Sequence, residues 1–246
     1  MVKVITLITK FIVIAITALL FSSCNNLYHY NSIQGSGNIT TENRIVQGEF
    51  NSVDVSNAID VEIIQSETSS ITVIADDNLQ SSITTSINNG VLEIACEYSS
   101  FKDVKSKKVI VNMPLINSLQ ASSASSIRNK SILKGEKINV NSSSAANIKL
   151  SLEFDRISSE SSSGSRIDIN GKTLELTSNA SSGSSINAGN LLANNVIANV
   201  SSGASIEVHP ILSLDADASS GGNVKYNNQP KKIQKNESSG GNVGLN

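Results

Sequence analysis

Aromatic residues are scarce in this chain: they make up 4% of its 246 residues, and tryptophan is absent. Sugar sites usually offer an aromatic platform, so this composition argues against a carbohydrate-processing cleft. Histidine occurs twice and cysteine twice, and neither shows metal-ligand spacing. A serine nucleophile needs a base within hydrogen-bond reach. His29 falls in the N-terminal stretch and His209 just before Pro210, so neither is placed to serve the many serines. Phosphate-loop and dinucleotide motifs are missing. Charge is low, 16% of residues with a net of −2, which leaves no electrostatic footprint for nucleic acid. The residues point to no enzyme, no cofactor and no metal site.

What is present begins with an address. Lys3 and Lys10 flank an apolar run from Phe11 to Phe21, the length of a signal-peptide core and short for a membrane span. The run ends at Leu20-Phe21-Ser22-Ser23-Cys24. Small residues followed at once by cysteine resemble the bacterial lipobox, with Phe21 a less usual member. Residues 1–23 are therefore expected to be a lipoprotein signal peptide and Cys24 the lipidated residue. No aspartate follows Cys24, which favours the outer membrane; the sequence leaves the periplasmic or surface face open. Residues 24–44 read as anchor and tether, with Gly35-Ser36-Gly37-Asn38 as the flexible part. The second cysteine, Cys96, alternates with Leu92 and Ile94 and reads as a buried, inert thiol.

The second half is dominated by a recurrence. Ser-Ser-small-small-x-Ile/Val begins at Ser122, Ser143, Ser162, Ser181, Ser201, Ser219 and Ser238, at spacings of 21, 19, 19, 20, 18 and 19. A fixed period near 20 marks a solenoid. Columns appear when the repeats are aligned on the first serine. Five before it stand Asn117, Ile138, Ile157, Leu176, Val196, Leu214 and Ile233, and one before it mostly small residues, both expected to point inward. Two before it stand Gln120, Asn141, Glu160, Asn179, Asn199, Asp217 and Asn236, expected to face solvent. Each repeat reads as two short strands joined by a tight bend at the serines, stacked about 4.8 Å apart into a rod of roughly 34 Å. The expected fold is an all-β parallel β-helix over residues 45–246: repeats in 117–246 and an irregular β region in 45–116.

Two groups of residues resemble the head GIN domain family, the auto-transporter adhesin domains of Bacteroidetes cell envelopes. The first is Gly35-Ser36-Gly37-Asn38-Ile39 with Arg44, Phe50-Asn51-Ser52-Val53-Asp54-Val55 and Ile59-Asp60-Val61. The second is Met113-Pro114-Leu115 followed by the serine repeats. The resemblance implies a β-helical envelope lipoprotein and brings no defined binding residues.

Asp76-Asp77 precedes Asn78 and reads as a turn cap. Asp215 and Asp217, with Glu160 in the same column three coils away, could imitate a calcium-binding acidic face, although a solvated face explains them. The lysines at 102, 105, 107 and 108, and at 231, 232 and 235, read as solvated loops or edges. In the last repeat Lys235 and Glu237 replace inward residues. That coil is expected either to cap itself with charge or to pair with a second copy. The expected function is a non-enzymatic adhesion, scaffold or partner-binding module. Its expected partners are the membrane through the lipid anchor and a glycan or envelope protein. The alternative is a polysaccharide-binding or polysaccharide-degrading β-helix.

Overall fold

A computed structural model describes residues 9–12, 14 and 31–246; Cys24 and His29 lie outside them. The N-terminal half carries β1 (Ser32–Gln34), β2 (Ile39–Arg44), β3 (Ser52–Val55), β4 (Asp60–Gln65) and β5 (Ser70–Asp76). It continues, after a short 3-10 helix at Asp77–Ser82, with β6 (Ile83–Asn88), β7 (Val91–Cys96), β8 (Ser100–Lys102) and β9 (Lys107–Met113). The repeats carry β10 (Ser118–Ala121), β11 (Ser126–Asn129), β12 (Leu133–Ser142), β13 (Asn147–Ser161) and β14 (Arg166–Ala180). They end with β15 (Ser185–Val200), β16 (Ser205–Ala218), β17 (Asn223–Tyr226), β18 (Lys232–Glu237) and β19 (Asn242–Leu245). Successive repeats pair in parallel and in register, for example Ile148 with Ile167 and Ile157 with Leu176. The molecule is a parallel β-solenoid.

The serines make the bends. In all seven repeats the second serine has φ between 47° and 54°, and the residue after it lies between 60° and 77°. Two consecutive left-handed residues define a type I′ turn, which small residues tolerate best. Each turn closes between the first serine's carbonyl and the N–H three residues on, at 2.8–3.2 Å. It then bonds the next coil: Ala145 N–H donates to Ser163 O at 3.1 Å and Gly164 N–H to Ser182 O at 3.1 Å. Buried hydroxyls add a second ladder. Ser165 Oγ donates to Ser142 O and Ser184 Oγ to Ser161 O, both at 2.7 Å. Serine is thus structural, serving both the turn and the stack.

Opposite the serine bend the chain turns without leaving the sheet. The alternation of buried and exposed residues slips by one at Asp155-Arg156, Leu174-Glu175 and Ile211-Leu212, where both neighbours face solvent. Each coil of β13 to β16 is therefore one long strand bent at this corner. A nearby backbone approach is closed to any side chain: a Cβ at Gly171 (φ 123°) would fall 1.9 Å from Leu152 O. Inside, Ile138, Ile157, Leu176, Val196 and Leu214 are buried as the column predicts. Asn117 and Ile233 are not: the coil of Asn117 buries Ile116 instead, and Ile233, in the last coil, is 36% exposed. A further inward column runs through Leu119, Val140, Ser159, Ser178, Ala198 and Ala216. Its two serines bond each other at 2.7 Å.

The N-terminal half is more regular than its sequence suggests. β3 and β4 stack in parallel on β10 and β11, pairing Val53 with Leu119 and Val61 with Ile127. Between them Asn57 and Ala58, with φ of 61° and 56°, form the same turn, and Ala58 N–H donates to Ser123 O at 2.9 Å. β7 and β9 stack on the far side of β3 and β4, giving one more layer. In that layer the residues between Cys96 and Lys107 replace the tight turn. β5 and β6 then run antiparallel over β9 and β7, and β2 runs antiparallel to β5. β1 pairs with β8. Thus the stretch read as a tether already contributes strands from Ser32 onward.

Candidate functional site

The outward columns of this rod are its candidate contact surface. One row runs in register as Glu93, Asp54, Gln120, Asn141, Glu160, Asn179, Asn199, Asp217 and Asn236. Neighbours help each other: Gln120 Nε2 donates to Asp54 Oδ2 at 3.2 Å and Asn199 Nδ2 to Asn179 Oδ1 at 2.9 Å. Burial, together with Glu93 alongside, pushes the Asp54 carboxyl up from its ordinary value. A shallow groove of about 240 Å³ runs along the row between Glu160 and Asp217. Asn179 and Asn199 lie between those two carboxylates, so Glu160, Asp215 and Asp217 do not converge on a cation. Among the described residues no three His, Cys, Asp or Glu side chains group as a metal site.

A second surface feature lies at the corner opposite the serine bends. Leu174 and Leu192 are 52% and 48% exposed and border a groove of about 460 Å³ with Ile211 and the buried Phe154. Glu153 stands on its rim between Lys134 Nζ at 3.0 Å and Lys172 Nζ at 3.5 Å. Lys134 holds the Glu153 carboxyl below its usual range. Periodicity does not reveal this patch, because corner residues fall outside the two-residue alternation.

The remaining candidate residues are held by the fold. Asp76 is no cap: its side chain is fully buried and makes no capping bond to the 3-10 helix. Its carboxylate accepts Gly37 N–H at 2.9 Å, Lys105 N–H at 3.0 Å and Ser106 N–H at 2.9 Å. Burial raises its pKa, but these N–H groups outweigh burial and leave it below the ordinary value. Glu62, 2% exposed, bonds Lys108 at 2.8 Å and faces Lys130 at 3.2 Å and Arg128 at 3.7 Å. The Lys108 bond leads in holding its pKa down, against burial. The lysine group near 105 is therefore dispersed: Lys107 lies over the Phe101 ring at 3.4 Å and Lys108 serves Glu62. Cys96 is a buried free thiol, pushed up chiefly by burial. His209 sits in β16, paired with Leu192 where the register shifts, rather than in a connecting loop.

A family model covers residues 49–230, about three quarters of the chain. The chain belongs to the head GIN domain family. The family's model is described as "Putative auto-transporter adhesin, head GIN domain". No curated protein matches the chain. Among solved structures, a "putative adhesin" from Bacteroides fragilis NCTC 9343 is similar with a TM-score of 0.80 and 20% identity, over 87% of this chain and 100% of that one. A "putative lipid binding protein" from Parabacteroides distasonis ATCC 8503 has a TM-score of 0.72 and 20% identity, over 87% and 99%. A "putative adhesin" from Parabacteroides merdae ATCC 43184 has a TM-score of 0.70 and 21% identity, over 88% and 99%. At such identities the likeness shows the head GIN fold alone. No helix among the described residues is long and apolar enough to cross a membrane.

Proposed function

We propose that this head GIN chain is a non-enzymatic cell-envelope lipoprotein, held in the outer membrane through Cys24, whose solenoid serves as a rigid adhesion or partner-binding module. The observation that carries the reading is the outward row itself. Beyond the adjacent pair Glu93 and Asp54, its acidic members are separated by Asn and Gln at the coil spacing, so the surface offers repeated weak contacts along a rod, not convergent groups at one point. Multiple weak contacts on a rigid support suit avidity towards a repetitive partner, such as a glycan or an envelope protein. The family description and the adhesin-like neighbours support the same direction. The test has two arms. Metabolic labelling with a palmitate analogue should mark the chain and fail on Cys24→Ala, and capture on glycan arrays and envelope extracts should recover a partner. Hydrolysis of a polysaccharide by the purified chain would overturn the non-enzymatic reading, and an unlabelled chain would overturn the anchor.

A further inference from the structure

The inward positions of β18 are Ile233, Lys235 and Glu237, in register with Leu214, Ala216 and Ala218 of β16. Two charged residues thus stand where the coil before them places alanine. Their partners are specific. Asn242 N–H and Asn246 N–H donate back to Gly222 O and Tyr226 O, at 3.0 Å and 2.9 Å. Since backbone groups alternate sides along a strand, Val243 turns its N–H and C=O toward the free end of the stack. Both are occupied. The Glu237 carboxylate accepts Val243 N–H at 2.5 Å. The Lys235 ammonium donates to Val243 O at 3.1 Å and to the Tyr226 hydroxyl at 2.8 Å, with the Tyr226 ring 4.7 Å below it.

We propose that Lys235 and Glu237 are a chain terminator for the solenoid. They fill, with side chains, the donor and acceptor of Val243, a pair that another strand would use to continue the stack, and so keep this end from accepting a second copy. The need is physical. In-register coils expose an edge that invites a further strand, and at each earlier turn the N–H after the second serine reaches the following coil. An approaching strand would have to displace both side chains and take their charges out of water, which opposes pairing. Two more edge lysines, Lys231 and Lys232, add charge against a second copy. Of the two expectations for this coil, the self-made charged cap is the one the contacts favour.

The test uses the full chain in detergent. Hydrogen exchange at the Val243 amide should be roughly tenfold slower in the wild type than in Glu237→Ala, the effect of one lost hydrogen bond to a charged acceptor. The double variant Lys235→Ala/Glu237→Ala, which restores the residues of the preceding coil, should self-associate with rising concentration while the wild type sediments as a monomer. A folded double variant that stays monomeric at every concentration, or a wild type that dimerises, would overturn the terminator. If the double variant does not fold, the Val243 amide decides: an exchange rate unchanged by Glu237→Ala contradicts the proposal.

Discussion

The two ends of the solenoid solve one problem in opposite ways. At the N-terminal end, backbone covers backbone: β5 and β6 run antiparallel over the first layer and β2 extends the cover. Asp76 fastens the cover by gathering N–H groups from residues 37, 105 and 106. At the C-terminal end no strand returns among the described residues; Lys235 and Glu237 cover Val243 of the last coil with side chains. The first solution uses about forty residues of extra chain, and it buries Leu79, Ile71 and Val73 in the common core. The second uses two residues and buries little. A stack of identical layers has no intrinsic end, so its ends must be specified by residues that break the pattern.

The difference predicts unequal consequences of damage. Removing the buried Asp76 carboxylate should be the most severe, because Asp76→Ala takes the acceptor from three backbone N–H groups at once. A loss of roughly 3 kcal/mol or more is expected in urea unfolding, with the N-terminal layers opening first in hydrogen exchange. Within the stack, Ile148→Ala at a fully buried site should cost about 2–5 kcal/mol and lower the whole transition, since neighbouring coils share the contact. Equal losses from Asp76→Ala and Glu237→Ala would erase the contrast between the ends.

Acid should sharpen the same contrast. Asp76 and Glu62 both titrate below the ordinary carboxylate range in the fold. A depressed carboxylate contributes stability that is complete above its unfolded pKa and is lost as pH falls through the folded one. Both belong to the N-terminal layers, whereas Glu153 of the repeats is held low only by solvent-screened surface lysines. Below about pH 4, amide protection in the N-terminal layers should therefore fall before protection in the repeats. The smallest effects belong to the repeats. Ser142 Oγ is buried without a hydrogen-bond partner, so Ser142→Ala should be neutral or raise stability by up to about 1 kcal/mol. Ala145→Gly should change stability by no more than about 1 kcal/mol, since its φ of 60° suits glycine while glycine loosens the unfolded chain.

How much of this was legible depended on local periodicity. The repeats could be read because a serine pair at the bend, with Ile/Val five residues after its first member, recurs at a near-constant interval. That was enough to give the parallel solenoid and the outward Asn/Asp column. The N-terminal coil was hidden because Ser56-Asn57-Ala58-Ile59 makes the turn with Asn in place of the second serine. Its partner Ser123 is also far away along the chain, with seven strands, β4 to β10, between them. The column of Ser159 and Ser178 was missed because its buried members are polar in two coils, which periodicity takes for surface. Asp76 looked like a turn residue because sequence cannot show three backbone N–H groups arriving from distant loops. The apolar corner around Leu174 and Leu192 was illegible for a related reason: it arises where the strand alternation slips. The charged end of the chain was visible as a break in the columns, and its partners were not.

The account stands on the stacking of an N-terminal coil on the first serine repeat, so the most direct test is to tie the two together. Asp54 and Gln120 face outward as register partners, at the roughly 5 Å spacing of adjacent strands, where a disulfide can form. Asp54→Cys with Gln120→Cys should form a 54–120 disulfide on mild oxidation of the folded chain, mapped by peptide mass spectrometry. Asp54→Cys with Asn141→Cys, one coil further on, should not. Absence of the 54–120 link in folded protein, or equal linking of both pairs, would contradict the shared stack.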